Sequence, residues 1–563
     1  MRRDYWLIIL IGALFFLPFL GAVHLFDWDE INFAECAREM LLTGDWFRPQ
    51  IDFESFWEKP PLFLWMQAIS MKIFGINEFA ARFPNAIAGI ATLLVVYRIG
   101  FKLHDRQFAW IWVLSWLGSL LPHFYFRSGI IDPWFNFFIF VGLFGFINFR
   151  WQFITGKIAE KGLKRYKYLM LGGSALGLAV MTKGPTAILI TALVLGLYWA
   201  RYRFKGKGYF GHVLLFMGFA GLASALWFAV EYTLHGSWFI GEFVAYQIRL
   251  FSTPDSGHGG FLGYHFVVLL IGCFPVSVFA LNNLWGDRQS EAEMLESDTL
   301  QSCCRSDFNT WMQLLFWVVL ILFTIVRTKI IHYSSLTYFP LTYLGAVSLW
   351  RSIRWEQRFR FTPLIFAIVG LLLVTASLAL PWLGMHPEVL QELLKKDPFA
   401  QANMQAQVEW SWLHALPGAM LLLGMVAYLL FWMRKRFWES TQAAFAGGAA
   451  FVSLLLVMVV CNIEQYTQGA VIRFYESKAA EDCYIRTIGF KSYAHLYYGK
   501  KQDPGPDKTI DSYENMARGP VNKKSYFVAK ITNLDELPEL PEVHELYREN
   551  GFVFFERIPG SKK

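Results

Sequence analysis

Long apolar segments separated by short charged loops run through most of this sequence. The first segment, residues 5–26, contains no Asp, Glu, Lys or Arg and is long enough to cross a bilayer as a helix. About thirteen segments of similar character, this one included, each predict a membrane span. The predicted spans cover residues 5–26, 82–103, 107–126, 130–149, 167–182, 185–201, 211–231, 261–283, 309–327, 331–350, 361–382, 410–433 and 442–461.

The apolar pattern stops after the last of these segments, and a more polar region follows. Three stretches rich in β-branched and aromatic residues predict β-strands at residues 484–490, 525–531 and 552–558. The segments between them, KSYAHLYYG and TNLDELPEL, predict helix or loop. The expected fold is an α-helical polytopic membrane domain over residues 1–461, followed by a small soluble α/β domain over residues 462–563.

Lys and Arg residues cluster in alternate loops, and this bias indicates the orientation of the chain. The clusters occur at residues 2–3, 150–167, 201–207, 351–360 and 434–436. These loops are therefore expected in the cytoplasm. With an odd number of spans, the first loop, residues 27–81, and the C-terminal domain are then on the outer side. The first apolar segment is too long for a signal-peptide core, so we expect a retained anchor.

Composition agrees with a membrane protein and excludes other classes. Of the 563 residues, 55% are hydrophobic and 17% are charged, and the mean hydropathy is +0.35. The formal net charge of +7 comes mainly from the loop clusters, so we expect no nucleic-acid partner. The six cysteines form no CxxC pair, which argues against redox chemistry and against a cysteine zinc site.

The first outer loop has a helical pattern of its own. Asp29 or Asn32 can cap a helix through residues 34–42. Its apolar side chains are spaced to lie on the membrane, namely Phe33, Ala37, Met40 and Leu41. Pro60 and Pro61 suit the first turn of a second apolar helix through residue 75. We expect both helices to lie on the outer leaflet as interfacial helices.

Carboxylates at the outer ends of two spans are the candidate catalytic groups. Asp27, Asp29 and Glu30 follow the first span, and Asp132 lies in a very short connection between two later spans. Each of them can also serve as a helix cap, which is the structural alternative. Carboxylates that meet at the same membrane depth can bind a hydroxyl or amine acceptor and remove its proton.

Outer cations complement these acids. Lys59 precedes the two prolines, Arg249 ends a helical stretch in the loop 232–260, and Lys329 lies just before a span. Lys and Arg are rarer on the outer side, so those near membrane ends are candidates for binding a lipid phosphate or pyrophosphate. For any single one of these residues, a structural role is an equally good explanation: the side chain snorkels toward the interface or pairs with a nearby acid.

Metal ligands are sparse on the outer side. Glu58, His258, His265 and His332 are the candidate ligands, but no HExxH motif is present. The segment DWD at residues 27–29 is formally a DxD motif, yet its outer location leaves it without a nucleotide sugar. A hydrogen-bonding role is the simpler interpretation of each histidine.

Six sequence blocks, in order, resemble one known family. They are DWDEINFAECAREML, EKPPLFLW, NEFAARFPNAIAG, FRSGIIDP, MTKGP and RTKIIHYSSLTYFPL. The chain resembles the ArnT-like branch of the protein O-mannosyltransferase superfamily, which are GT-C integral membrane glycosyltransferases. The likeness covers the first 350 residues well, and EDCYIRTIGFKSYAHLYYG also resembles the periplasmic tails of these proteins.

The resemblance implies a polyprenyl-phosphate sugar donor, an acceptor at the outer face and inversion at the anomeric carbon. By motif, Asp29 matches the aspartate that acts near the acceptor as base, next to Glu30, and Asp132 matches a second outer acid. Lys59 matches the lysine that binds the donor phosphate, and the remaining phosphate-side positions are Arg249, Lys329 and Tyr333. The segment Ile31-Asn32-Phe33 departs from the family pattern, which often has Arg or Tyr there. The resemblance therefore does not determine the identity of the acceptor.

No metal is needed when cations absorb the charge of the leaving phosphate. Glu58 and His332 nevertheless fall near positions that can hold a structural zinc in this family.

The sequence therefore predicts an inverting glycosyltransferase of the bacterial inner membrane with a periplasmic active site. Lipid A is the first expected acceptor, by analogy with aminoarabinose transfer, and a protein or another envelope glycan is the alternative. A transporter or flippase for a lipid-linked sugar is the rival from another class, and a structural assembly subunit is a third. Transporters usually show inverted repeats and midplane polar residues, whereas the charges here gather at one face.

Overall fold

The computed structural model describes residues 1–27, 29–155, 162–206, 208–252, 259–286, 300–503, 512–536 and 542–559. The predicted metal ligand His258 and the loop lysines Lys157, Lys161 and Lys207 lie outside the described residues. The α-helices up to the middle of the chain are Arg2–Phe16, Asp29–Thr43, Leu62–Phe74, Glu78–Leu103, Arg106–Leu117, Leu120–Tyr125, Asp132–Ile154, Lys167–Lys183, Thr186–Arg201, Tyr209–His235, Trp238–Ser252, Tyr264–Gly272 and Val276–Ala280.

The later α-helices are Leu300–Ile325, Tyr338–Trp355, Thr362–Met385, Pro387–Leu393, Pro398–Asn403, Leu416–Met433, Phe437–Met458, Val460–Glu464, Ala470–Lys478, Ala494–Tyr498 and Tyr513–Arg518. Short 3-10 helices cover Gly162–Tyr166, Ile331–Thr337, Trp412–Ala415 and Ile531–Glu536, and one π-helical turn covers Gln465–Gly469.

Seven of the described helices are long and apolar enough to cross a membrane. The predicted number of about thirteen spans is therefore not confirmed, although the multi-pass helical architecture is. Several predicted spans appear as shorter or broken helices. The segment 261–283 is divided at Pro275, whose ring removes a backbone donor, and the segment 107–126 is divided at Gly118. The first helix ends at Phe16, two residues before Pro18.

Aromatic side chains fill the core of the helix bundle. Trp112, Trp116 and Trp311 are at most 1% exposed, and Tyr343 lies 5.0 Å, centroid to centroid, from the ring of Trp112. Large rings bury much apolar area and pack edge to face, so they provide the packing contacts between neighbouring helices. This bundle supports the loops in which the charged residues lie.

The two helices predicted in the first outer loop are present, but one of them is packed differently from the prediction. Phe33, Ala37 and Met40 are at most 2% exposed, and Phe33 and Met40 pack in a cluster that includes Leu496 of the C-terminal region. The expectation that this face lies on the membrane is wrong, because protein covers it. The second helix, Leu62–Phe74, does keep an exposed apolar face, with Ile69 52% and Ile73 68% exposed, among others.

The C-terminal region contains a four-stranded mixed sheet. After a short hairpin of β1 (Gln50–Ile51) and β2 (Glu54–Ser55) in the first loop, the sheet consists of β3 (Cys483–Ile488), β4 (Lys524–Lys530), β5 (His544–Glu549) and β6 (Phe552–Arg557). The strand order is β3-β4-β6-β5, with β3 and β4 parallel and the other pairs antiparallel.

Three of these strands were predicted, and β5 was not. Its segment HELYRE is exposed along nearly its whole length, so it lacks the apolar alternation by which a half-buried strand is identified. The helix Ala470–Lys478 packs on the sheet through Phe474, whose ring centroid lies 4.5 Å from that of Phe554.

The sheet region is joined to the first outer loop by charged and polar contacts. Asp52 accepts hydrogen bonds from Arg486, at 2.7 Å, and from Lys501. Gln468 of the π-helical turn donates to the carbonyl of Leu25 at 2.9 Å and accepts from the backbone N–H of Asp27 at 3.2 Å. The loop that carries the candidate acids is therefore held between the bundle and the C-terminal sheet.

Candidate functional site

A cavity of about 400 Å³ lies where the helix bundle meets the first loop and the C-terminal region. The termini of several helices bring its polar groups together. Asp29 and Asp132 are the first residues of their helices, and Lys183 is the last residue of its helix. The wall is completed by apolar residues, namely Phe135, Ile190, Phe323, Val326, Ile330 and Leu336. One cavity thus combines charged and apolar lining residues.

The two predicted catalytic aspartates meet at one histidine. Nε2 of His332 lies 3.2 Å from Oδ2 of Asp29 and 3.9 Å from Oδ2 of Asp132. The Asp29 side chain is 37% exposed, whereas that of Asp132 is 4% exposed. Asp29 is thus the more accessible of the two carboxylates to a molecule in the cavity.

Sequence reasoning placed His332 with Glu58 as zinc ligands, and the structure gives His332 different neighbours. Its Nε2 lies beside the carboxylates of the two aspartates, while Oε2 of Glu58 lies 4.0 Å from Nζ of Lys59. Among the residues that the structure describes, no group of three or more His, Cys, Asp or Glu side chains is arranged to hold a metal ion. A hydrogen-bonding role for His332 fits this geometry.

Lys183 is a member of the site that was not among the predicted site residues. Its Nζ lies 2.5 Å from Oδ1 of Asp132 and 5.1 Å from the centroid of the Tyr333 ring. The sequence feature that could have identified it is its position at the end of an apolar segment, in the block MTKGP. Placing such a lysine inside a membrane protein costs free energy unless its charge has a partner. Identifying the partner required the tertiary structure.

The residue after Lys183 shows how closely the elements of this site approach each other. Gly184 has φ +99, a conformation that side-chain-bearing residues rarely adopt, and a Cβ there would lie 2.5 Å from the ring of Phe243. Phe243 belongs to the helix Trp238–Ser252, which also carries Tyr246 and Arg249. Glycine at this position therefore lets two site-bearing helices pack together.

Two of the predicted phosphate-binding cations converge on one aromatic ring. Nζ of Lys59 lies 4.8 Å from the centroid of Tyr246 and 3.3 Å from its hydroxyl oxygen. The guanidinium carbon of Arg249 lies 5.3 Å from the same centroid. A ring face attracts cations and holds them without neutralising them. Lys59 and Arg249 both line the cavity, so the arrangement suits an anionic group.

Of the two other predicted phosphate-side residues, one lies in the cavity and one does not. Tyr333 lines the cavity next to His332, with ring centroids 5.3 Å apart. Lys329 is 7% exposed and donates to the carbonyls of Phe323, Thr324 and Val326 at 2.9, 2.7 and 2.6 Å. An ammonium has three protons, and all of them are used at the end of the helix Leu300–Ile325. The phosphate-binding prediction for Lys329 is not supported by this geometry.

Glu30 was predicted as a catalytic acid, and the structure gives it another role. Its carboxylate forms two hydrogen bonds with Arg82, at 2.8 and 3.0 Å, and accepts the backbone N–H groups of Phe26 and Gly129. Burial raises the pKa of this carboxyl, but Arg82 and the N–H donors outweigh burial and hold the pKa below its ordinary value.

Arg82 also donates to the carbonyls of Leu20, Val23 and His24. Glu30 and Arg82 therefore fix the course of the chain before Asp29. A further cation, Lys491 of the C-terminal region, lines the cavity and was not predicted.

Comparisons with known proteins agree with this architecture. Residues 6–241 match the family model of dolichyl-phosphate-mannose-protein mannosyltransferase. The chain is 27% identical over 349 residues to the undecaprenyl phosphate-alpha-4-amino-4-deoxy-L-arabinose arabinosyl transferase of Pectobacterium carotovorum subsp. carotovorum (strain PC1). That alignment covers 60% of this chain and 58% of the relative.

The protein of the same name from Enterobacter sp. (strain 638) is 27% identical over 450 residues, which cover 77% of this chain and 73% of the relative.

Solved structures show the same fold over nearly the whole chain. ArnT from Cupriavidus metallidurans bound to undecaprenyl phosphate superposes with a TM-score of 0.72 at 15% identity, covering 98% of both chains. The apo form of that protein gives a TM-score of 0.71 at 15% identity and covers 99% of this chain and 98% of the other. This chain therefore has the fold of ArnT from Cupriavidus metallidurans, and its residues 6–241 are similar to the dolichyl-phosphate-mannose-protein mannosyltransferase family.

Proposed function

We propose that this protein transfers a sugar from a polyprenyl phosphate to lipid A at the periplasmic face of the bacterial inner membrane. The observation that carries the proposal is the meeting of Asp29 and Asp132 at His332, in a cavity that Lys59 and Arg249 also line. Carboxylates and cations in one cavity with an apolar wall match a reaction between a hydroxyl acceptor and a lipid-linked phosphate ester.

The donor phosphate binds at Lys59 and Arg249. Arginine can bind phosphate through two parallel hydrogen bonds and lysine acts as a point charge, so the pair stabilises the charge that develops on the leaving group. Tyr246 holds both cations in reach, and Tyr333 borders the same cavity. The prenyl chain lies along the apolar wall. Relatives of this chain are named for undecaprenyl phosphate, which fits a donor of this class.

The chemical step is a single displacement. The acceptor oxygen forms a bond to the anomeric carbon while the bond from that carbon to the phosphate oxygen breaks. The proton of the acceptor passes to the carboxylate of Asp29, and the electron pair of the broken bond leaves with polyprenyl phosphate. One displacement inverts the configuration at the anomeric carbon. Asp132 stays ion-paired with Lys183 and positions the acceptor.

The acceptor is proposed by analogy with the relatives, and the domain division is the one expected from the sequence. Aminoarabinose transfer, named for the relatives, makes lipid A the first acceptor, and a protein or another envelope glycan is the alternative. Residues 1–461 form the transmembrane catalytic domain in this proposal, and residues 462–563 form a periplasmic domain. The reaction uses no metal, because Lys59 and Arg249 supply the positive charge that the leaving group requires.

The test is mass spectrometry of lipid A and of other envelope glycans from cells with and without the gene. We expect a sugar-mass shift on lipid A that wild-type protein restores and Asp29→Asn does not. Glu54→Gln is the matched control, because Glu54 is an exposed carboxylate of the same loop. Unchanged lipid A together with a mass change on protein or glycan would show that the acceptor is that protein or glycan and not lipid A. Transfer that persists in the Asp29→Asn variant would refute the proposed mechanism.

Purified protein in proteoliposomes separates the transferase from the rival transporter. Sugar transfer to lipid A without a change in the sidedness of the donor supports the proposal. Movement of the lipid-linked sugar across the bilayer without transfer would support a flippase instead.

A further inference from the structure

A second cavity, of about 790 Å³, lies away from the catalytic acids. We call it the Trp410 pocket, and the residues that define it are Gly384, Gln391, Gln407, Trp410, His414 and Tyr466. It is formed by the connection between the helices Thr362–Met385 and Leu416–Met433. That connection also contacts the C-terminal sheet, since the ring of Phe399 lies 5.2 Å from that of Phe552. The pocket is therefore on the same side of the bundle as the catalytic cavity.

The indole of Trp410 is held in place from several directions. Its Nε1 donates to the hydroxyl of Tyr466 at 2.9 Å, and its ring lies 5.2 Å from the ring of His414. Gly384 permits close approach of the indole, because a Cβ at that position would lie 2.4 Å from three of its atoms. A rigid aromatic surface with its polar atom already satisfied is prepared to contact a ligand without first being ordered.

The polar groups around this indole are mostly uncharged. Gln391, Gln405 and Gln407 line the pocket, and each amide both donates and accepts hydrogen bonds. Glu409 is the one lining side chain of the described residues that carries a full charge at neutral pH, and that charge is negative. An aromatic surface bordered by amides fits a polyhydroxylated ring. The absence of Lys and Arg from the described lining disfavours a phosphate group.

The surroundings of the pocket point to a ligand carried by a lipid. Trp412 and Leu413, which follow Trp410 closely in the chain, are 64% and 70% exposed. Exposed tryptophan beside exposed leucine is typical of the boundary between a bilayer and water. A sugar that binds at Trp410 would then have its lipid portion beside these residues.

The pocket is also connected to the catalytic loop through one short segment. Tyr466 lies in the π-helical turn Gln465–Gly469, and Gln468 of the same turn bonds the backbone at Leu25 and Asp27. Single π turns occur frequently at functional sites. Tyr466 therefore belongs to the turn that holds the chain two residues before Asp29.

We propose that the Trp410 pocket binds the neutral or amino sugar of an envelope glycolipid, as a site separate from the catalytic cavity. The proposal concerns binding alone and does not depend on the transfer reaction. Its distinguishing feature is charge, because the lining accepts hydroxyl, amide or ammonium groups, and its described residues include no Lys or Arg to pair with a phosphate.

Saturation-transfer NMR on the full chain in lipid nanodiscs tests this proposal with three probes that differ in charge. The probes are glucosamine, N-acetylglucosamine and glucosamine 6-phosphate, and no sugar-based detergent is present. We expect signals from the first two, strongest for glucosamine because of Glu409, and a much weaker signal from the phosphate. Trp410→Ala should weaken binding of both about tenfold, since the indole is the largest aromatic side chain of the lining.

Three variants make the result decisive. Trp412→Ala, which removes a nearby exposed indole outside the lining, should leave binding unchanged. Glu409→Gln should abolish the preference for glucosamine, and it tests the proposal even if Trp410→Ala fails to fold. Asp29→Asn should bind the probes as wild type does. Equal signals in Trp410→Ala and wild type, the strongest binding by the phosphate, or loss of binding in Asp29→Asn alone would each overturn the proposal.

Discussion

The Lys183 ammonium lies 2.5 Å from the carboxylate of Asp132, at the meeting point of two helix ends. The Asp132 side chain is 4% exposed and that of Lys183 is 18% exposed, so neither charge is fully solvated. The pair belongs to the same cavity as Asp29 and His332. It therefore connects the stability of the bundle to the position of Asp132, the second predicted catalytic aspartate.

We expect Lys183→Met to lower the turnover number about a hundredfold, because Asp132 loses the partner that orients it. The variant should also lower the melting temperature, since it leaves a buried carboxylate without its counter-charge. The double variant Lys183→Met with Asp132→Asn should recover much of the melting temperature and none of the activity. A Lys183→Met protein with wild-type turnover would contradict this role.

Tyr246 should act on donor binding and not on the chemical step. Tyr246→Ala removes the ring beneath Lys59 and Arg249, and we expect the KM for the polyprenyl-phosphate donor to rise about threefold to tenfold, with the turnover number little changed. Steady-state kinetics with varied donor checks this. Tyr246→Phe is the matched control, because it keeps the ring and removes only the hydroxyl. If both variants raise the donor KM equally, the hydroxyl and not the ring supports donor binding.

Glu30 and Asp29 are adjacent in sequence, and their isosteric variants should behave differently. Glu30→Gln leaves the guanidinium of Arg82 buried without a counter-charge, which costs roughly 3–5 kcal/mol of folding stability. We expect a lower melting temperature and a turnover number for the folded protein within about threefold of wild type. Asp29→Asn should keep the melting temperature and lose turnover. Stable but inactive Glu30→Gln protein would restore Glu30 as a catalytic candidate.

Gly184 should be sensitive to the smallest substitution. Gly184→Ala introduces a methyl group 2.5 Å from Phe243 and a side chain at φ +99, so the Phe243 ring, on the helix that carries Tyr246 and Arg249, must move. We expect the KM for the donor to rise and stability to fall by about 1–3 kcal/mol. The matched control is Gly196→Ala, since a Cβ at Gly196 has open space around it. Equal behaviour of the two variants would show that the close approach is unimportant.

His24 should make stability depend on pH. Its Nδ1 lies 2.5 Å from a carboxylate oxygen of Glu464, and Nε2 lies 3.4 Å from Glu476. The hydrogen bond to Glu464 raises the pKa of His24 above its ordinary 6.5, although burial opposes it. Because the folded-state pKa is the higher one, the contribution is fully present below pH 6.5 and is lost as the pH rises through the folded-state value.

The measurement is the melting temperature of wild type and His24→Asn between pH 5.5 and pH 9. The wild-type advantage should be greatest near the acidic end and should shrink as the pH rises. His386→Asn is the control, because His386 contacts Glu388 at the exposed start of the helix Pro387–Leu393, where ion pairs contribute little. A constant difference between wild type and His24→Asn at every pH would exclude a protonated His24 in the folded protein.

Several features of the fold were predictable because they depend on local sequence. The multi-pass class, the two helices after Asp29 and Pro61, and strands β3, β4 and β6 all follow from periodicity and helix-start residues. The predicted number of spans is not confirmed, because hydropathy does not reveal where a proline or glycine divides an apolar segment. The membrane-facing interpretation of Phe33 was wrong, since an apolar side chain packs against lipid or protein with the same pattern.

The sequence alone determined that acids and cations gather at the ends of membrane helices, because charges near an apolar segment are confined to its ends. Only the tertiary structure decided which of them share a site. Asp29 lies beside His332 while Glu30, one residue later, pairs with Arg82. Lys329 donates to carbonyls at the end of the preceding helix. These pairings join segments distant in the chain, and only three-dimensional packing sets which side chains come within bonding distance.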